Sequence, residues 1–81
     1  MKHAFSYKFI RQYKALSPAL KAKVDKQIAF LVENLHHPSL RAKKYDEAQD
    51  IWQARVDQHY RFYFKIDGDT YQILSVTRHP K

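Results

Sequence analysis

The first half of the chain is predicted to contain a short edge strand followed by two amphipathic helices. After an apolar start at residues 3–5, Ser6 is a favoured N-cap for a helix. The apolar stripe of this helix is Phe9, Ile10, Tyr13 and Leu16. Ser17-Pro18 predicts a second helix, because Ser caps it and Pro suits its first position. That helix has the stripe Leu20, Val24, Ile28, Leu31 and Leu35 and should end near Asn34, forming a helix hairpin joined by one or two residues.

The second half is predicted to form a three-stranded antiparallel meander. Its strands are rich in aromatic and β-branched residues and span 51–56, 60–66 and 71–77. The dipeptide Asp67-Gly68 predicts a two-residue hairpin loop that sets Phe64 opposite Tyr71 and Arg61 opposite Leu74. A three-residue turn at 57–59 keeps the apolar positions of the first two strands on one face.

Strand alternation gives this sheet one apolar and one polar face. The apolar face comprises Trp52, Ala54, Val56, Tyr60, Phe62, Phe64, Ile66, Tyr71 and Ile73. The other face comprises Gln53, Arg55, Arg61, Tyr63, Lys65, Gln72, Leu74, Val76 and Arg78. We therefore predict one α+β domain over residues 1–81, with the helix hairpin packed on one face of a small antiparallel sheet in the order β-α-α-β-β-β.

The polar face is the candidate site. Arg55 and Arg61 should lie opposite each other, and like charges across a ladder are destabilising unless an anion lies between them. Guanidinium groups on a rigid sheet suit phosphate, and Tyr63 can stack on a nucleobase. Alternatively, each arginine lies along Tyr63 or pairs with a carboxylate such as Glu47, Asp50 or Asp57.

The charge is unevenly distributed and favours a polyanionic partner. The chain has 15 Lys and Arg against 8 Asp and Glu, a formal charge of +7. Residues 1–44 contribute ten basic and two acidic residues, hence +8, and residues 45–81 contribute five and six, hence −1. Nucleic acid or an acidic protein segment would complement this excess, although a merely solubilising lysine surface is the alternative.

Several chemistries are excluded by composition. The absence of cysteine favours a reducing compartment such as the cytoplasm, and we expect neither a signal peptide nor a membrane span. Residues 36–45 lack periodicity and are predicted to form an ordered loop. The pair His36-His37 has no acidic or thiol ligand at a recognisable spacing, so we expect no metal and no other cofactor. Cleavage of RNA needs none, because the 2′-hydroxyl is an internal nucleophile that the protein must mainly orient.

The chain resembles the RelE/ParE superfamily of toxins from type II toxin–antitoxin systems over nearly its whole length. The resemblance is carried by the element order and by the segments at 35–44, 51–56 and 60–64. It implies a compact fold related to microbial ribonucleases, cleavage of mRNA on the ribosome in the RelE-like branch, and neutralisation by an acidic antitoxin. The superfamily also contains gyrase inhibitors and decayed members that only bind an antitoxin, and these remain alternatives.

The resemblance also implies roles for particular residues. Arg61 would stabilise the phosphorane, Arg55 would help to bind the scissile phosphate, and Arg78 and His79 occupy the catalytic region of the last strand. His79 is the candidate general acid or base, since imidazole titrates near neutrality. The candidate RNA-binding residues are Tyr63, Lys65, Lys43, Lys44, Lys21, Lys23 and Lys26. Gln53 departs from the second basic residue that some ribonuclease members have on this strand.

Overall fold

The computed structural model describes residues 1–79 as a five-stranded sheet with two helices. The elements in chain order are β1 (Lys2–Phe5), α1 (Tyr7–Lys14), α2 (Pro18–Glu33), a 3₁₀ turn (Pro38–Leu40), β2 (Lys43–Asp46), β3 (Ile51–Arg55), β4 (Tyr60–Asp67) and β5 (Thr70–Arg78). The strand order is β1-β5-β4-β3-β2. The predicted α+β class with helices on a sheet is confirmed, but the sheet is mixed, because β1 pairs with β5 in parallel.

The helices begin at the predicted caps. The Ser6 hydroxyl accepts a hydrogen bond from the Phe9 amide at 3.0 Å, and the Ser17 hydroxyl accepts one from the Leu20 amide at 3.2 Å. These bonds satisfy amides that the first helical turn leaves unpaired. Three residues, 15–17, join the helices, one more than the longest predicted connection. No helix within residues 1–79 is long and apolar enough to cross a membrane.

The sequence pattern does not predict strand β2, because residues 43–45 belong to the segment 36–45 that is predicted as a loop. In the structure Lys43 pairs with Gln53 and Lys44 with Trp52, so the segment is an antiparallel edge strand on β3. Its sequence is short and charged, as edge strands often are, and has no apolar alternation of its own. The strand forms because β3 offers unpaired backbone groups, which a local pattern cannot indicate.

The three-residue turn between β3 and β4 is confirmed. Trp52 lies opposite Phe64 and Arg55 lies opposite Arg61, as the parity argument predicts. The turn is stabilised by Asp57, whose carboxylate accepts hydrogen bonds from the amides of His59 at 2.8 Å and the following residue at 2.9 Å. An acidic side chain that bonds its own turn in this way is typical of an Asx turn.

The hairpin loop between β4 and β5 has two residues, as predicted, but it lies one residue later in the chain. Asp67 pairs with Thr70, so the loop residues are Gly68 and Asp69 rather than Asp67 and Gly68. Gly68 has φ +60°, a conformation that favours glycine. Ile73 rather than Tyr71 therefore lies opposite Phe64.

A β-bulge then changes the facing of the second half of β5. Phe64 pairs with Ile73 and Tyr63 pairs with Ser75, which leaves Leu74 as an extra residue. An extra residue reverses the alternation of everything after it. Thr77, not Leu74, consequently lies opposite Arg61. Val76, predicted on the polar face, is instead buried in the core at 3% exposure.

The core lies between the helices and one face of the sheet. All nine residues of the predicted apolar face belong to it or pack against it. The fully buried large side chains are Phe62, Phe64, Leu31, Leu40, Ile73 and Val24. Complete burial of one such side chain stabilises a fold by about 1.5–3 kcal/mol. The helices therefore cover one face of the sheet and leave the polar face uncovered.

Helix α1 also replaces β1 as the neighbour of the second half of β5. β1 ends at Phe5, which pairs with Ile73. Beyond this point Ser6 donates its hydroxyl to the Leu74 carbonyl at 2.7 Å, and the Val76 amide donates to the Gln12 side chain at 2.9 Å. The bulge and the helix N-terminus are thus fixed to each other by side chains.

Candidate functional site

A cavity lined by basic residues lies on the uncovered face of the sheet. It has a volume of about 210 Å³. Its lining comes from the segment after the 3₁₀ turn and from four strands or strand ends, and consists of Arg41, Lys43, Gln53, Arg55, Arg61 and His79. None of these six residues is acidic. We call this site the basic cavity; its donors suit an anion and would repel a metal cation.

The guanidinium of Arg61 is held by backbone carbonyls. Its Nη1 donates to the Asp57 carbonyl at 2.6 Å and to the Tyr60 carbonyl at 2.9 Å. Both bonds start from the same nitrogen, and the Nε and Nη2 donors have no acceptor within residues 1–79. Arg61 is therefore fixed in place with hydrogen-bonding capacity left for a ligand.

The alternative interpretation of the two arginines is wrong for the described part of the chain. Neither Arg55 nor Arg61 forms a salt bridge within residues 1–79 or lies over the Tyr63 ring there. The proposed carboxylate partners bind lysines instead: Asp57 pairs with Lys23 at 3.3 Å, and Asp50 and Glu47 pair with Lys44. The repulsion between the two arginines is left for an anion to relieve.

Asp57 is the acidic group nearest to this arrangement in sequence, and its environment keeps it ionised. Burial alone would raise the pKa of its carboxyl. The amides of His59 and Tyr60 and the ammonium of Lys23 outweigh that effect, so the pKa is lowered. The ionised Asp57 carboxylate stabilises the turn at 57–59, and the backbone carbonyl of Asp57 accepts a hydrogen bond from Arg61.

The bulge decides which residue of the last strand reaches the basic cavity. His79 lines it, and the His79 amide donates to the His59 carbonyl at 2.7 Å. Arg78 pairs with Tyr60, a residue of the apolar face, and does not line the cavity. The prediction that Arg78 shares the face of Arg55 is wrong, because the extra residue Leu74 reverses the alternation.

A second cavity on the same face is larger and more apolar. It has a volume of about 580 Å³ and is lined by Ser6, Lys8, Tyr45, Ile51, Tyr63, Leu74, Ser75 and Thr77. Tyr63 packs edge-on against Tyr45 at 4.9 Å between ring centroids, and its hydroxyl donates to the Gln53 side chain at 3.3 Å. Gln53 lines the basic cavity, so this bond connects the two sites. Burial, together with the neighbouring Tyr45, raises the pKa of Tyr63, which keeps the phenol protonated near neutral pH.

The predicted RNA-binding lysines are divided between the two faces. Lys43 lines the basic cavity, whereas Lys44 follows the parity of Trp52 and lies 5.2 Å from the centre of its ring. A hydrogen bond to Asp50 raises the pKa of Lys44. Lys65 pairs with Gln72 on the polar face but lines neither cavity.

The three predicted lysines of α2 lie on the helical side. Lys21 and Lys26 each lie 5.8 Å from the centre of an aromatic ring, those of Tyr13 and Phe30, and Lys23 pairs with Asp57. None of the three lines the basic cavity.

Arg41 is the site residue that the sequence interpretation missed. It ends the 3₁₀ turn with φ +47°, a left-handed conformation that is uncommon outside glycine. The chain turns there into β2, so that Arg41 and Lys43 both line the cavity. The clustering of Arg41, Lys43 and Lys44 in an aperiodic segment was the available indication.

The fold is similar to solved structures of bacterial toxins. The YoeB/ParE toxin from Agrobacterium tumefaciens superposes with a TM-score of 0.83 at 13% identity, covering 99% of this chain and 100% of that one. The YoeB–YefM complex from Staphylococcus aureus gives 0.79 at 15%, and the intact E. coli RelBE toxin–antitoxin complex gives 0.75 at 11%, each covering 99% of this chain and 98% of the other. No protein-family model and no curated protein sequence matches the chain. The chain has the fold of these toxins, which confirms the fold that the RelE/ParE resemblance implies.

Proposed function

We propose that this protein is the toxin of a type II toxin–antitoxin system and that it cleaves ribosome-bound mRNA at the basic cavity. The fold supports a toxin, since the similar structures are named as toxins and some are complexes with antitoxins. The observation that carries cleavage is the cavity itself. It gathers four basic side chains and an imidazole, with no acidic lining residue, on a sheet face that the protein leaves open.

The reaction assigned to this site is transesterification of an RNA phosphodiester. The 2′-oxygen bonds to phosphorus as its proton leaves, and the bond to the 5′-oxygen breaks as that oxygen gains a proton. The products are a 2′,3′-cyclic phosphate and a free 5′-hydroxyl. Arg61 and Arg55 stabilise the negative charge of the phosphorane, and His79 carries out a proton transfer.

Two further groups of residues are assigned to substrate binding. Tyr63, with Tyr45 against it, offers an aromatic surface for a base next to the phosphate, and Lys43 binds the adjoining backbone. The lysines of α2, Lys21, Lys23 and Lys26, do not line the cavity and serve attachment to ribosomal RNA. An acidic antitoxin would neutralise the positive surface and cover the site.

Induced expression in bacteria tests the proposal. The wild-type protein should arrest growth and leave discrete mRNA ends within codons that occupy the ribosomal A site. Arg61→Ala should lower the cleavage rate by about 10²–10³-fold, because one preorganised donor to the transition-state charge is lost. Sequencing of mRNA 5′ ends during the first minutes of induction measures the cleavage positions and the cleavage rate for the wild type and the variant.

Lys65→Ala is the matched control. The sequence predicts an RNA-binding role for Lys65, but it lines neither cavity, so the proposal assigns it no part in binding or cleavage although it shares strand and face with Arg61. It should remain toxic and cleave the same sites. Intact mRNA with a DNA-damage response would identify a gyrase inhibitor instead. A folded Arg61→Ala variant that cuts mRNA like the wild type would refute the assigned site.

A further inference from the structure

Gln27 is the polar residue among the buried positions of α2. The other buried residues of this helix are Val24, Ile28 and Leu31, and Gln27 is equally buried at 4% exposure. Burying an amide is unfavourable unless its hydrogen bonds are replaced. The bonds that Gln27 makes therefore indicate what its presence in the core provides.

Every polar atom of the Gln27 side chain is bonded to segments that lead to the basic cavity. Its Nε2 donates to the Arg55 carbonyl at 2.7 Å and to the Ser39 carbonyl at 3.1 Å. Its Oε1 accepts from the Ser39 hydroxyl at 3.0 Å. Arg55 lines the cavity, and Ser39 lies two residues before Arg41, which also lines it.

The hydrogen bond from Gln27 to the Arg55 carbonyl lies beyond the end of the pairing between β2 and β3. Pairing between β2 and β3 ends at Lys43 and Gln53, two residues before Arg55. Arg41, which a longer β2 would place opposite Arg55, has a left-handed backbone with φ +47°. The Gln27 amide thus gives the Arg55 carbonyl the donor that a longer β2 would have supplied, and the same amide bonds the Ser39 carbonyl in the 3₁₀ turn that precedes β2.

We propose that Gln27 is a positioning residue for the basic cavity, setting the separation of Arg41 and Arg55. It lies in the core on the helical side and does not touch substrate. Its bonds fix the backbone at Ser39 and at Arg55. The separation between the Arg41 and Arg55 side chains, which bind one anion together in this proposal, depends on these two segments. The functional part of this inference rests on the proposed function, since it takes the anion to be the RNA phosphate.

The test compares Gln27→Met with Leu31→Met. Gln27→Met keeps the side-chain length and removes all three bonds, whereas Leu31→Met is a nearly volume-conserving change on the same buried face of α2. Binding is measured for inorganic phosphate and for an RNA oligonucleotide with 2′-O-methyl groups, which cannot be cleaved. Gln27→Met should bind both about tenfold more weakly, while Leu31→Met binds like the wild type.

A second variant and a second readout keep the roles apart. Ser39→Ala removes one of the three bonds at an exposed residue, so it should fold and weaken binding about two- to threefold. Leu40 and Val56 carry the amides of the two peptide units whose carbonyls Gln27 bonds, and both amides are hydrogen-bonded. Their hydrogen exchange should accelerate in Gln27→Met but not in Leu31→Met. Unchanged exchange, or equal loss of binding in the two methionine variants, would overturn the inference. A wild type that leaves ribosome-bound mRNA intact, while Gln27→Met still exchanges faster and binds phosphate more weakly than the wild type, would refute the proposed function and leave the positioning role standing.

Discussion

The two faces of the sheet differ in what covers them and in what their residues do. Arg61 and Phe62 are neighbours on β4, yet Phe62 is completely buried under the helices and Arg61 lines an open basic cavity. One face therefore supplies the burial that stabilises a chain of 81 residues, and the other carries unpaired cations that burial would penalise. Strand alternation is enough to keep stability and chemistry apart at adjacent positions. Gln27 is the exception, because it lies in the core and bonds to the edge of the site.

The largest expected effect breaks the covered face. Phe62→Ala should lower the free energy of unfolding by about 3–5 kcal/mol, because it leaves a cavity in the centre of the core. Small domains are stable by only about 5–15 kcal/mol, so this loss is a large fraction of the total stability. Urea denaturation followed by tryptophan fluorescence measures this. Arg61→Ala, one residue away, should change the same quantity by less than about 1 kcal/mol; equal losses at both positions would contradict the division of roles.

The next effect concerns the end of β5, where the bulge determines the facing of each residue. His79→Ala should lower the rate of RNA cleavage by about 10²-fold or more, since a positioned acid or base is lost. Arg78→Ala should leave the rate within about twofold of the wild type, because Arg78 does not line the basic cavity. Single-turnover cleavage on programmed ribosomes measures both. A larger loss at Arg78 than at His79 would mean that the active alignment lacks the bulge.

A smaller effect is expected at Asp57, in the turn between β3 and β4. The pKa of Asp57 is lowered in the folded state, so its contribution to stability is complete above the unfolded value of about 3.9 and is lost as the pH falls through the folded pKa. Asp57→Asn keeps an acceptor oxygen but cannot ionise. It should cost about 1 kcal/mol at pH 6 and almost nothing near pH 2. Urea denaturation across this range checks the sign, and a difference that grows on acidification would contradict it.

The smallest effect distinguishes two adjacent lysines. Lys43→Gln should reduce the slope of log affinity against log salt concentration by about 0.7 for single-stranded RNA, the amount expected for one lost phosphate contact. Lys44→Gln should leave the slope unchanged, because Lys44 pairs with acidic residues on the opposite side of β2. Fluorescence anisotropy at several salt concentrations gives both slopes. Equal changes would indicate that the lysines act only as a diffuse positive surface.

The sequence predicts the parts of this fold that depend on local pattern. The caps at Ser6 and Ser17 and the three-residue turn between β3 and β4 follow from spacing and parity, and they place Arg55 opposite Arg61. Strand β2 could not be predicted in this way, because its pairing comes from the exposed edge of β3 rather than from its own residues.

The errors in the second half of β5 have one physical origin. The bulge at Leu74 is fixed by side chains far away in sequence, with Ser6 bonded to its carbonyl and Gln12 bonded to the next core residue, Val76. Parity arguments assume an unbroken ladder and therefore placed Arg78 and Val76 on the wrong face. Arg41 was missed for a similar reason, since a left-handed residue at the end of a 3₁₀ turn redirects the chain without a glycine to indicate it.

The bulge also affects how sequences with this fold should be aligned. An ungapped alignment of β5 against a strand that lacks the extra residue would match Arg78 with positions that face the site and His79 with positions that face the helices. Such an alignment would assign the guanidinium of Arg78 to the site in place of the imidazole of His79, because it ignores the extra residue Leu74. Candidate site residues on this strand are therefore better compared after superposition, with a gap allowed at Leu74, than by their distance from the C-terminus.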